Sequence, residues 1–204
     1  MDGSEELIFT DKYITLASNG ESHTIMHVGE TVYMEKLAEL VTKNGGDILE
    51  IGFGMNISAD FIQSNPNVKS HTIIEVHPEI YRKGLEWARN KPNVEMILGD
   101  WIDILPLKGK LFDGVFYDPY NDYNLLKFLD HVKGNCKKET IVGFYDHPVF
   151  DARLNGLQVT IPESDLNSIP FRDITEFKGN RYELKYTVFN GINFYKGIEN
   201  SKLI

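Results

Sequence analysis

Cysteine is all but missing from this chain of 204 residues, and Cys136, the sole one, has no partner for an internal disulfide. That predicts a small structural residue, a reducing compartment and a cytoplasmic location. No apolar run approaches the roughly 18 residues that a membrane helix needs. The first six residues, Met1 to Glu6, are acidic and lack the basic-then-apolar layout of a secretory signal. Excess positive charge is also missing: 21 Lys and Arg face 30 Asp and Glu, for a net charge of −9. A nucleic-acid partner, which favours a basic face, is therefore not expected, and neither is a membrane. A small cationic substrate suits that balance better. No Ser-His-Asp set, Walker loop or Cys-x-x-Cys occurs, and His23, His27 and His77 show no metal-ligand spacing, so no metal is expected.

Ordinary globular composition is present, 42% apolar and 25% charged, and the length suits one domain over residues 1–204. Residues 1–45 read as an irregular or partly helical lead-in covering the active site, with an α/β core over 46–204. Within the lead-in, Val32, Tyr33, Leu37, Leu40 and Val41 fall at helical spacing over 31–41, and Asn44-Gly45-Gly46 stops that helix. Strands are expected at 48–51, 72–75, 94–98, 114–117 and 140–145. Helices are expected from 57 to 64, from Pro78 to Trp87 and over 124–132. Beyond Asp146, a short helix over 163–169 is expected. Residues 181–188 alternate as Tyr182, Leu184, Tyr186 and Val188, predicting an antiparallel strand with a hairpin partner at 192–195 across Asn190-Gly191. The order defines an α/β, Rossmann-like fold: a mostly parallel sheet, helices on both faces and a C-terminal antiparallel β-hairpin.

Polar groups just past the carboxyl ends of parallel strands build the ligand crevice of such sheets. The first strand ends in Gly52-Phe53-Gly54, where Ile57 replaces the third glycine of the dinucleotide fingerprint. Glu75 ends the second strand and can accept from both hydroxyls of a ribose. Alone it would read as a helix cap or a surface residue. Asp100-Trp101 follows the third strand; the pair reads as an adenine site or as a turn aspartate beside a core tryptophan. Together these describe a nucleoside site without a diphosphate cradle, which fits S-adenosylmethionine better than NAD. Tyr117-Asp118-Pro119-Tyr120 closes the fourth strand where the acceptor should lie. Pro119 restrains Asp118 to extended geometry.

With Ile25-Met26 and Glu30-Thr31-x-Tyr33-Met34, these segments resemble guanidinoacetate N-methyltransferase and the related arginine N-methyltransferases. The resemblance covers roughly residues 25–145. It includes Leu49-Glu50-Ile51-Gly52-Phe53-Gly54-Met55, Ile73-Ile74-Glu75, Trp101 and Phe112-Asp113-Gly114-x-x-Tyr117-Asp118-x-Tyr120. It implies a class I methyltransferase using S-adenosylmethionine, with Glu30 and Asp118 holding a guanidinium. The cofactor would contact Met26, Tyr33, Met34, Gly52, Phe53, Gly54, Glu75, Val76, Asp100, Trp101 and Asp118. The chain departs from the family at Gly134-Asn135-Cys136-Lys137-Lys138, where Leu-Lys-Pro-Gly-Gly is usual, and again at Tyr145-Asp146-His147-Pro148.

A guanidinium is a poor nucleophile with a pKa above about 12. The enzyme must grip the cation and remove a proton around the time of methyl transfer. Two carboxylates on the planar fork can do both: Asp118 as base and Glu30 as the second grip, with Tyr120, Asp146 and His147 as further substrate candidates. Alone, Glu30 also reads as a helix N-terminal carboxylate. Two alternatives stand beside this reading. In one, Asp118-Pro119-Tyr120 is a relative of the Asn/Asp-Pro-Pro-Tyr motif, methylating another amine or an amide. In the other, the chain is a non-catalytic binding module. Which guanidine is methylated, how many methyl groups are added, and whether the chain is a monomer or a homodimer stay open.

Overall fold

A computed structural model of the chain describes residues 6–18, 20–120, 124–144, 157–160, 183–189 and 191. Its first surprise is in the lead-in, which is a sheet rather than a partly helical segment. Strands β1 (Glu6–Phe9), β2 (Tyr13–Ser18) and β3 (Glu21–His27) pair antiparallel in the order β1-β2-β3. Ser18 pairs with Glu21 across a two-residue loop in which Gly20 has φ +83°, a left-handed conformation that favours glycine in tight hairpins. The sheet is stable because it has a partner elsewhere: Leu7 and Ile14 are buried in one cluster with Phe53, Ala59, Ile73 and Ile80 of the main body.

A single 3-10 turn, Val28–Glu30, leads from β3 into α1 (Thr31–Val41), the one helix expected in this region. Then follow β4 (Gly46–Ile51), α2 (Ile57–Ser64), β5 (Val68–Glu75), α3 (Pro78–Ala88) and β6 (Val94–Leu98). The short α4 (Trp101–Ile104), which periodicity cannot reveal, precedes β7 (Phe112–Tyr117), α5 (Leu125–Val132) and β8 (Cys136–Phe144). Strands β9 (Leu157–Thr160) and β10 (Glu183–Val188) complete a seven-stranded sheet ordered β6-β5-β4-β7-β8-β10-β9. The first five in that order are parallel, whereas β10 runs antiparallel to both β8 and β9. The expected C-terminal strand is thus present, but its neighbours are β8 and β9. The proposed hairpin partner at 192–195 and the helix over 163–169 lie outside the described residues.

Strand alternation divides the core. Ile48 and Phe116 face α1 and α2, where Val32, Leu37, Ala38, Val41 and Ile62 are buried with them. Leu49, Ile51, Val115 and Val142 face the other way, packing with Trp101, Phe128 and Val132 of α4 and α5. Helix α1 lies unusually close to the sheet. A Cβ on Gly114 would strike the Val41 carbonyl oxygen, and one on Gly143 would lie 2.6 Å from Leu37 Cδ1 and 2.7 Å from Val41 Cγ1. These two bare positions seat the helix, and the helix in turn carries Glu30 at its start. At the far end of the sheet, Lys137 Nζ on β8 reaches Asp113 Oδ2 on β7 (2.6 Å) and Asp47 Oδ2 on β4 (3.0 Å). That clamp ties together the amino ends of the three strands bordering the topological switch. Cys136 is buried, its thiol pushed up to about 12 by burial, so it behaves as a structural residue.

Candidate active site

The strand order reverses between β4 and β7, and a cavity of about 700 Å³ opens at their carboxyl ends. Its floor is the turn after β4. Gly52 has φ +87°, and a Cβ there would lie 2.7 Å from the carbonyl oxygen of Asp118. Only glycine therefore lets the turn pass so close to the end of β7, where the Asp118 amide donates to the Ile51 carbonyl at 3.1 Å. Glu75 closes the side: its Oε2 accepts from the Phe53 amide at 2.8 Å and its Oε1 from the His77 amide at 2.7 Å. These bonds fix the carboxylate at the cavity wall and leave each oxygen a further lone pair. His77 itself caps α3, Nδ1 accepting from the Glu79 amide at 3.2 Å.

The roof comes from the N-terminal sheet. Leu7, Leu16, Thr24, Ile25 and Met26 all line the cavity. Met26 Sδ accepts from the Met55 amide at 2.9 Å and sits where a side chain on Gly54 would be. At the opposite end stand Val76, 63% exposed, together with Asp100 and Trp101. Asp100 caps α4, its Oδ1 accepting from the Ile102 amide at 3.1 Å. The Trp101 indole is wedged edge-on against Phe128 (5.3 Å), His131 (5.6 Å) and Tyr117 (6.2 Å), so its orientation is set by the core.

Two acidic residues, Glu30 and Asp118, line the same cavity. Glu30 ends the 3-10 turn and makes no capping bond to α1, which leaves its carboxyl for the cavity. Burial pushes its pKa up to about 7. Asp118 is held well above the usual carboxylate range, first by burial and then by the negative charges of Glu30 and Glu50. Such a pair, desolvated and of like charge, is matched to a cation that neutralises both. Tyr120, 51% exposed, stands at the rim.

Met26, Gly52, Phe53, Gly54, Glu75, Val76, Asp100, Trp101, Glu30, Asp118 and Tyr120 thus come together around one space. Tyr33 and Met34 do not join them. Met34 is fully buried against the sheet, and the Tyr33 hydroxyl donates to the Phe144 carbonyl at 3.2 Å. The inward face of α1 turns both toward the core, so their part is to hold that helix in place. Asp146 and His147 lie outside the described residues. Ser58, buried at the start of α2, also lines the cavity and was not legible in the sequence, since an isolated serine there reads only as a helix-start residue. Among the described residues, no group of three His, Cys, Asp or Glu is placed to hold a metal, and no helix is long and apolar enough to cross a membrane.

The five-stranded parallel sheet with an antiparallel strand beside it defines a Rossmann-like, class I methyltransferase fold. A candidate caffeoyl-CoA O-methyltransferase from Staphylococcus aureus superimposes with a TM-score of 0.52 at 17% identity, over 78% of this chain and 83% of that one. Spermidine synthase from Thermotoga maritima gives 0.53 at 17% identity, over 69% and 53%. Those likenesses show the fold alone. Sequence goes further: the guanidinoacetate N-methyltransferase family model matches residues 14–133, and the chain belongs to that family. Protein arginine N-methyltransferase 2 of Yarrowia lipolytica is 31% identical over 182 residues, covering 80% of this chain and 38% of the relative. Its namesake in Saccharomyces cerevisiae is 32% identical over 153 residues, covering 69% and 36%. The chain therefore spans little more than a third of the length of these relatives.

Proposed function

We propose that this chain is an S-adenosylmethionine-dependent N-methyltransferase acting on the guanidino group of a small cationic or arginine-like acceptor. The observation that carries the reading is the Glu30–Asp118 pair: two half-buried carboxyls, both with raised pKa, beside a glycine turn and a ribose-type glutamate. The cavity fits the cofactor. Gly52 and Gly54 leave the floor bare, Glu75 offers lone pairs suited to ribose hydroxyls, and Val76, Asp100 and Trp101 suit an adenine. When bound, the cofactor supplies an electrophilic methyl group on a sulfonium.

Everything else falls to the chain's own residues. Glu30 grips one edge of the guanidinium fork, and Asp118 faces the nitrogen to be methylated. As that nitrogen gains the methyl group it loses a proton, and Asp118 takes it. The raised proton affinity of Asp118 favours this transfer. The roof formed by β1–β3 excludes water and strengthens each charge interaction beneath it. A cytoplasmic site of action, an acceptor other than nucleic acid, and a monomeric or homodimeric state belong to the same proposal; the buried lone Cys136 suits a reducing compartment.

The test is a screen of guanidino compounds, including arginine peptides, agmatine, free arginine and guanidinoacetate, with product masses read directly. Methyl transfer to at least one guanidine is expected. Transfer to another amine with none to any guanidine would overturn the acceptor class.

A further inference from the structure

Two ionisable side chains sit fully buried just outside the cavity, Glu50 on β4 and His71 on β5. Glu50 Oε1 accepts from the Ser58 hydroxyl, and Ser58 lines the cavity. Glu50 Oε2 and His71 Nε2 approach to 2.8 Å without the alignment of a full hydrogen bond, so neither atom has another partner. Behind the imidazole, Gln63 Nε2 lies 3.4 Å from Nδ1, and Trp87 meets the ring edge-on at 6.4 Å. If the Gln63 amide donates to Nδ1, the ring proton sits on Nε2, the nitrogen on the Glu50 side. The series Gln63, His71, Glu50, Ser58 therefore runs from α2 through the buried sheet face to the cavity wall.

Packing does not require it. Burying a carboxylate costs on the order of several kcal/mol, and apolar residues of similar volume commonly do as well or better. Its address is more informative. Glu50 pairs with Phe116 across β4 and β7, and Phe116 shares the α1–α2 face of the sheet with Ile48. Asp118, two residues beyond Phe116, continues on that same face. The ionisable groups gathered there are Glu30 from the turn before α1, Glu50 from β4, His71 from β5 and Asp118 itself.

We propose that Glu50 and His71 are positioning residues of the transferase: His71 anchors Glu50, whose carboxyl group stands behind Asp118 on the same face of the sheet and governs how Asp118 takes the proton. The inference rests on reading Asp118 as the proton acceptor. The Glu50 charge is already among the causes that raise the Asp118 pKa. A weaker base there would take the guanidinium proton less readily, although no contact to substrate had changed.

The experiment is the pH profile of kcat/KM for a guanidino acceptor at saturating cofactor. Asp118 must be ionised to act, so the rate rises with pH through its apparent pKa. Glu50→Gln removes the neighbouring charge and should move that limb about one unit toward acid. His71→Gln should move it the same way, because it removes the side chain that meets Glu50 Oε2 at 2.8 Å. A midpoint that stays in place in both variants, whatever happens to kcat or stability, overturns the inference. In the wild-type chain, 15N NMR of the histidine rings at neutral pH gives a reading that needs no variant. His71 should carry its proton on Nε2 alone, whereas an Nδ1–H tautomer or a doubly protonated ring overturns the proposal. Asp118→Asn is assayed alongside. If it keeps turnover, the reading of the site fails; if it is inactive while the Glu50→Gln midpoint stays put, only this inference fails.

Discussion

Glu30 and Asp118, far apart in sequence, are close enough across the cavity that the charge of Glu30 helps raise the pKa of Asp118. The helix that Glu30 precedes is seated on two bare glycines, and the strand that Asp118 follows runs beside the glycine turn. Four expectations follow from that pairing and its supports.

Asp118→Asn keeps the size of the side chain but removes the base. Turnover should fall by roughly 10²–10⁴, with S-adenosylhomocysteine affinity by calorimetry changing only a few-fold. Near-normal single-turnover rates would remove Asp118 from the chemistry.

Glu30 binds its proton more tightly folded, at about 7, than its ordinary value of 4.5. A raised carboxyl costs the folded state stability as pH climbs from the lower value to the higher, and the loss persists above it. Glu30→Gln should therefore raise the melting temperature at about pH 8, on the order of 5 °C, and leave it unchanged at about pH 4. Acceptor KM should rise in the same variant. Equal melting shifts at both pH values would mean that Glu30 is not held protonated by burial.

Binding a guanidinium between two carboxyls with raised pKa should expel their protons. At about pH 7, calorimetry in buffers of different ionisation enthalpy should report release of roughly half a proton or more per acceptor bound. A buffer-independent heat would contradict the pairing of the cation with both groups.

Gly52→Ala combines positive-φ strain with a collision at the Asp118 carbonyl, whereas Gly109→Ala meets the strain (φ +77°) in open space. Strain alone costs about 1–2 kcal/mol. Gly109→Ala should lose that much stability and Gly52→Ala more, and only Gly52→Ala should lose cofactor binding and turnover at least tenfold. Matching losses of activity would show that the turn does not need its close approach.

Strands β4 to β8 and helices α1, α2, α3 and α5 were legible because each carries its own local signal, such as an apolar run, helical spacing, Pro78 at a helix start or Gly45-Gly46 at a helix end. The N-terminal sheet was not recognised, although Asn19-Gly20 is a hairpin signal. Its strands are short and β3 is largely polar, and the apolar partners that stabilise it, Phe53, Ile73 and Ile80, come from other segments. Tyr33 and Met34 matched a motif, but motif position does not say which way a helix faces. The buried Glu50–His71 contact could not be read at all, since it joins side chains of two strands 21 residues apart in the chain and no local pattern marks it.

By itself the sequence determined the order of β and α elements, the glycine turn, the acid ending each cofactor-side strand, and membership of a guanidino methyltransferase family. Those are properties of local runs and spacings, which chain connectivity preserves. Only the tertiary structure decided that strands of the N-terminal sheet line the cavity, that Glu30 and Asp118 meet at one cavity, and that Glu50 and His71 lie buried in contact beside it. Proton affinity depends on desolvation and on charges a few ångströms away in space, and neither is a property of any one segment.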